Sequence, residues 1–149
     1  MKKGLILGLI LLIGIVAISG CTNTTEKNIT LDELKSNATE VTIDELYNGN
    51  ITNGTYVKLK AYVTGIADNK TGATVGQIID YGNGITGIDS QNMIVVFGTI
   101  PDDLYDNDEV WIYGIFRGPM SYESAMGYHF TVPGIENGFF EKTGERYEL

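Results

Sequence analysis

Cysteine is all but missing. Cys21 is the single one in 149 residues, so no disulfide can form within the chain, and no Cys-based metal site exists. Histidine is as scarce. His129 stands alone between Tyr128 and Phe130, and no motif sets a Ser or Cys nucleophile beside it, so a hydrolytic triad has no support. Positive charge is short as well: ten Lys and Arg face nineteen Asp and Glu, a net of −9. Nucleic-acid binders carry a basic footprint, so no nucleic acid is expected here. Three prolines stand against nineteen glycines, a balance that suits bent strands joined by tight turns.

Two patterns look functional and are set aside. Asp102, Asp103, Asp106, Asp108 and Glu109 form the densest acidic run. It lacks the ligand spacing and central Gly of a calcium loop and reads as a solvated turn, so no metal is expected. Gly82-Asn83-Gly84-Ile85-Thr86-Gly87 spells Gly-x-Gly-x-x-Gly. A phosphate cradle of that spelling opens a helix within a βαβ unit, whereas a strand is expected here. No cofactor and no enzymatic activity follow from the sequence.

Long apolar runs are confined to the start. Lys2 and Lys3 precede an apolar stretch from Gly4 to Ile18, followed by Ser19-Gly20-Cys21. Positive flank, apolar stretch and small residues define an export leader. Ile18-Ser19-Gly20-Cys21 resembles the lipobox of prokaryotic lipoproteins. The resemblance implies cleavage before Cys21, a diacylglyceryl group on its sulfur, and a place on the extracytoplasmic face of the cell membrane. Two alternatives stay open. The run could remain as a transmembrane anchor, although it falls slightly short of the roughly 20 residues a span needs; or Cys21 could be unmodified in a secreted protein. Residues 1–20 are thus read as signal peptide. Cleavage leaves 129 residues, enough for one domain with a real core, and 8 basic against 19 acidic side chains, a net of −11.

Residues 21–41 read as a flexible tether, and 42–149 as one folded domain. Asn23, Asn28, Asn37, Asn50, Asn53 and Asn69 each begin an Asn-x-Ser/Thr sequon, and any that carry glycan must be exposed. A glycosylated stalk and a merely Thr/Asn-rich linker both account for them. Thr30-Leu31-Asp32-Glu33-Leu34 and Thr42-Ile43-Asp44-Glu45-Leu46 each spell a capping box. The second predicts a short helix at about 43–48 and the first only a frayed turn.

From Tyr56 to Ile66, Val57, Leu59, Ala61 and Val63 alternate with polar residues, the signature of a half-buried strand. Further strands are expected at Thr74–Tyr81, Met93–Phe97, Val110–Arg117 and Tyr128–Val132. One or two helical turns are expected at Thr99–Asp106, a loop at Pro119–Gly127, and Phe139-Phe140 over a barrel end. Ile43-Asp44-Glu45-Leu46-Tyr47-Asn48, Tyr56-Val57-Lys58-Leu59-Lys60-Ala61-Tyr62-Val63 and Asp108-Glu109-Val110-Trp111-Ile112-Tyr113-Gly114-Ile115 resemble tRNA-anticodon-like OB-fold domains of small prokaryotic lipoproteins. That resemblance implies an all-β, five-stranded OB-fold barrel with a short helix between strands three and four and another before the barrel. An SH3-like barrel or a two-sheet sandwich is the alternative.

In an OB-fold, strands two and three and the flanking loops bind ligand. This implies a surface of Asn69–Gly72, Gln77, Tyr81 and Ser121–Tyr128. Tyr62, Gln77, Tyr81, Tyr122 and Tyr128 are the candidate ligand residues, since exposed aromatics can stack on sugars or pack on peptides. Trp111 and Tyr113 belong to the same aromatic set, and cross-strand packing accounts for such residues equally well. The function expected is a non-catalytic binding module for an envelope protein, peptide or glycan. The alternative is an accessory subunit of a membrane complex, without a small ligand.

Overall fold

A computed structural model describes residues 28–148. The leader, Cys21 and Asn23 lie outside the described residues. The chain folds as an all-β, barrel-like structure with two short helices at its amino-terminal side.

Thr30 caps the helix α1, Leu31–Asn37, its hydroxyl accepting from the Glu33 amide at 3.2 Å. The two-residue strand β1, Thr39–Glu40, then pairs in parallel with β2, Tyr56–Ile66. Between them lies α2, Ile43–Tyr47, with both halves of its capping box made. Thr42 Oγ1 accepts from the Glu45 amide at 3.3 Å, and the Glu45 carboxylate accepts from the Thr42 amide at 2.8 Å. The first capping motif is therefore a docked helix and not a frayed turn. Leu34 is completely buried, and Lys35 pairs with Glu141 while its ammonium sits 5.2 Å from the Tyr113 ring centre. Residues 31–40, expected to belong to a flexible tether, are therefore part of the fold: Leu34 gives α1 an apolar anchor, and β1 is paired with the barrel.

The barrel consists of β2, β3 (Gly72–Gly76), β6 (Ile94–Gly98), β7 (Asp108–Glu123) and β8 (His129–Arg146). Its order is β2-β3-β6-β8-β7, and β7 returns to pair with β2. Neighbours are antiparallel except β6 and β8, which run parallel. The alternation read in β2 is the structural one. Val57, Leu59, Ala61 and Val63 point inward and meet Val75, Ile94, Val96, Val110, Ile112 and Ile135 in one core. Each such aliphatic burial contributes on the order of 2 kcal/mol. α2 closes the end where β6 begins: Ile43 and Leu46 enter the core, and the Tyr47 hydroxyl donates to the Met93 carbonyl at 2.6 Å. Ile100 and Leu104 enter the core from the segment after β6 and close the other end.

Three local expectations are corrected. No helix forms at Thr99–Asp106, between the third and fourth barrel strands. A single turn closes from Leu104 N to the Pro101 carbonyl at 3.2 Å, but Tyr105 N is drawn to Asp108 Oδ2 at 3.0 Å, and Asn107, at φ 72°, bonds to the Val63 carbonyl at 2.8 Å. The Thr74–Tyr81 strand divides at Gln77. Its second half, β4 (Ile78–Gly82), leaves the barrel and pairs only with β5 (Ile85–Ile88). The turn between them has Asn83 at φ 57° and Gly84 at φ 76°, a primed hairpin turn. Finally, the expected Pro119–Gly127 loop is confined to a turn at residues 124–128, and Pro133-Gly134 does not end a strand. β7 runs on to Glu123 and β8 starts at His129 and continues through Pro133; the two leave the barrel together and form a two-stranded arm in which Pro119 faces Pro133. Each arm strand has one free edge, where a proline's missing N–H leaves no ladder partner unsatisfied. Phe139 and Phe140 belong to β8, and Phe140 is in the core.

Candidate binding surface

Each candidate side chain is positioned by a neighbouring element. Tyr62, on β2, is held in a polar cluster. Its hydroxyl donates to Glu109 Oε2 at 2.6 Å, its ring meets Tyr147 edge-on at 6.4 Å, and Glu109 also accepts from Thr143 Oγ1 at 2.9 Å. The bond to Glu109, then burial and the carboxylate charge, push the Tyr62 phenol up to about 12. Burial pushes Glu109 upward, but the Tyr62 and Thr143 hydroxyls and Lys60 outweigh it and leave the carboxyl below its ordinary value. Tyr62 is a buttress of the barrel wall.

Gln77 sits at the foot of the β4–β5 hairpin, where its amide donates to Asp44 of α2 at 3.3 Å. Tyr81 is open to solvent on β4, with its ring against Gly87 of β5, where a Cβ would stand 2.9 Å from Tyr81 Cε2. The hairpin is tied back to the barrel by the Tyr147 hydroxyl, which donates to the Thr86 carbonyl at 2.6 Å. Tyr122 and Tyr128 lie on the arm. Tyr122 stacks on Phe130 at 5.4 Å, and burial raises its phenol. Tyr128 is 64% exposed at the tip. The five candidates therefore divide between the hairpin side (Tyr62, Gln77, Tyr81) and the arm (Tyr122, Tyr128). Tyr47 of α2 links the two: its phenol is raised by burial first, and then by Tyr122 and by the Asp89 carboxylate.

The other residues singled out in the sequence are spread apart. Trp111 lies under Lys58 at 5.7 Å. His129 is exposed on the arm opposite Glu123. Asn69 Oδ1 accepts from Thr71 N at 3.2 Å and closes the turn after β2. The acidic run separates into private partnerships. Asp102 meets Lys70 at 2.8 Å, and Asp108 meets Lys142 at 3.1 Å and Arg146 at 3.7 Å. Among the described residues, no three His, Cys, Asp or Glu side chains converge on a metal position. Asn28, Asn37, Asn50, Asn53 and Asn69 are all exposed.

Between α2 and the root of the arm runs a groove of about 540 Å³, walled by Leu46, Ile51, Phe116, Pro119, Val132 and Pro133, with Tyr47, Asn53, Thr131 and the charged Arg117 also lining it. A second depression of about 680 Å³ lies over β6, β7 and β8, where Arg117 meets Glu136 at 2.9 Å and the chain arrives through Asn28 and Ile29. Sequence reasoning missed Tyr47, Phe130, Val132 and Pro133. The signal available for the last three was the alternation that continues on either side of Pro119 and Pro133, which the prolines masked.

No protein-family model matches this chain, and no curated protein matches it. The reading of the surface therefore rests on its chemistry. A groove of this size with six apolar residues among its walls, and Tyr47, Asn53, Arg117 and Thr131 as its hydrogen-bonding groups, suits aliphatic or aromatic side chains carried on a peptide.

Proposed function

We propose that the chain is a non-catalytic binding module, anchored by a lipid on Cys21 at the extracytoplasmic face of the cell membrane, which takes an apolar peptide segment of an envelope protein. The groove between α2 and the arm root carries this reading, because most of its walls are apolar, with Tyr47, Asn53, Arg117 and Thr131 as polar lining. The lipobox supports the address. The closed five-stranded order with a β6–β8 parallel pair supports an OB-fold, although Ile100 and Leu104 of an irregular segment, and not a helix, follow its third strand into the core. The exposed sequons at Asn28, Asn37, Asn50, Asn53 and Asn69 support a glycosylated surface, which glycopeptide mass spectrometry reads directly.

Thr131→Trp tests the groove. Residue 131 is exposed on the groove rim, so the bulky ring fills the groove while the core is left intact. A protein retained by the wild-type chain from solubilised membranes and lost by the variant supports the reading, and an identical set with both variants sinks it. One observation favours a second reading, that of an accessory subunit. β4 and β5 form a separate two-stranded sheet, and its open edges can add a strand from a partner. A stable, stoichiometric complex that survives Thr131→Trp and is lost on strand-breaking substitution in β5 would favour it.

A further inference from the structure

We infer that the tip of the β7–β8 arm is a membrane-contact element that seats in the interface of the same bilayer that holds the lipid on Cys21. This rests on the anchored reading above and goes beyond it, because it assigns a lipid surface to residues that the groove does not use.

Among the described residues the most exposed large apolar side chains are Met126 at 85%, Tyr128 at 64% and Ile85 at 63%. Two of the three are at this tip, with Phe130 behind them at 43%. The tip is convex and closed on itself: Ser124 and Tyr128 exchange bonds through Ser124 N to the Tyr128 carbonyl at 2.8 Å and Tyr128 N to Ser124 Oγ at 3.2 Å. The arm behind it is stiffened by the Tyr122–Phe130 stack and by the Ser121–Thr131 hydroxyl pair at 2.9 Å. Tyr128 is of the amphipathic aromatic type that sits at lipid headgroup level, and Met126 adds an exposed apolar side chain beside it.

Charge points the same way. The whole chain carries nineteen acids, yet residues 118–133 hold one, Glu123, with His129 facing it. The arm thus brings a single acidic side chain to a bilayer, a small electrostatic cost for so acidic a protein.

The attachment point fits in reach. Asn28 and Arg117 line one depression, and Arg117 directly precedes Gly118, where the arm leaves the barrel. Seven residue steps separate Asn28 from Cys21, a reach of at most about 25 Å. From Gly118 to Glu123 the arm projects about 17 Å. The lipid and the arm therefore start from the same side of the barrel and reach comparable distances.

The test uses the lipidated full chain. Cys21 is consumed by its lipid, so Met126→Cys carries the one free thiol, for an environment-sensitive NBD dye. Asp106→Cys, in the turn at the far end of the barrel, is the control. Both are reconstituted in uncharged phosphatidylcholine vesicles bearing nitroxides on the acyl chains. With the tip buried to the usual interfacial depth of about 5–10 Å, dye at 126 shifts to the blue and loses about half its emission, while dye at 106 changes little. An unquenched dye at 126, on protein that floats with vesicles and whose intact mass includes a diacylglyceryl group, overturns the inference and leaves the anchor standing. A mass without lipid, with two dyes per chain, overturns the anchor and this inference together. Because the vesicles contain no other protein, a protein partner cannot produce the quenching.

Discussion

Gly98→Ala probes the closure of the barrel at its most confined point. β6 and β8 run parallel there, and Gly98 faces Gly138. A Cβ on Gly98 would stand 2.8 Å from both the carbonyl carbon and the amide nitrogen of Gly138, and nearer still to its oxygen. These are backbone atoms of a neighbouring strand, so no rotamer change relieves the contact. Overpacking in a core costs about 1–3 kcal/mol when side chains can give way. Here the strands themselves must part, so about 3 kcal/mol or more is expected. Against a total stability of about 5–15 kcal/mol, that is a large fraction, and it lowers the melting temperature by roughly 10–15 °C for a domain of this size. Gly138→Ala is the internal comparison. Its Cβ would strike Val96 Cγ1, a side-chain atom, and stand 3.2 Å from the Phe97 carbonyl, so about 1–2 kcal/mol is expected. Urea unfolding followed by circular dichroism gives both numbers. A Gly98→Ala chain within 0.5 kcal/mol of the wild type, or milder than Gly138→Ala, would refute the packing of β6 on β8 and with it the closed barrel.

Acid should loosen the end of the barrel where β7 begins. For Asp108, burial pushes the carboxyl up, but the Tyr105 amide, Lys142 and Arg146 outweigh it and hold the group below its ordinary 3.8; Glu109 is likewise held below 4.5. A depressed folded value stabilises the fold above the unfolded value, and that stability is lost as pH falls through the folded one. Stability should therefore drop below about pH 4, and Asp108→Asn, weaker by about 1–3 kcal/mol at neutral pH, should show a shallower drop; parallel curves would count against the assignment. At the other extreme, the Tyr62 phenol is held up at about 12, with stability falling as pH rises from 10 toward 12. Phenolate absorbance should lose a step near 12 in Tyr62→Phe, and an unchanged titration there would count against the Tyr62–Glu109 bond. Leu34→Ala should cost about 2 kcal/mol, the low end for a buried leucine because α1 is short and peripheral. A cost under 0.5 kcal/mol would mean that α1 is not docked.

What could be read from the sequence was whatever has a local cause. The alternation of β2 and the Thr42–Glu45 capping box arise within a few residues, and both are structural facts. Pro101-Asp102-Asp103 was ambiguous because proline and acids open helices and turns alike, and the deciding bonds come from Val63 and Asp108. Pro119 and Pro133 look like strand terminators unless it is known that they face each other on an arm with free edges. The same limit applies to the site. Tyr62 and Tyr122 were recognisable as aromatics, but their partners Glu109 and Phe130 depend on pairing register. The groove exists only because α2, from the start of the domain, lies beside residues 116–133. Leu34 carried a signal in its own capping motif, yet two leucines, Leu31 and Leu34, in one seven-residue helix are too few to read a buried face.

The placement of β8 between β6, to which it runs parallel, and β7 also sets the order of events as the chain is made. β7 and β8 are joined by a tight turn and can pair at once, but β2 must wait for β7: Tyr62 meets Glu109 only 47 residues later. β6 has no outer neighbour until β8 arrives. A chain interrupted before His129 exposes bare edges on β6 and β7, the condition most open to pairing with other chains. Such distant pairing folds in milliseconds to seconds, not microseconds. The last twenty residues are therefore the closing piece of the domain, and a growing chain is protected from its neighbours only once they have been delivered.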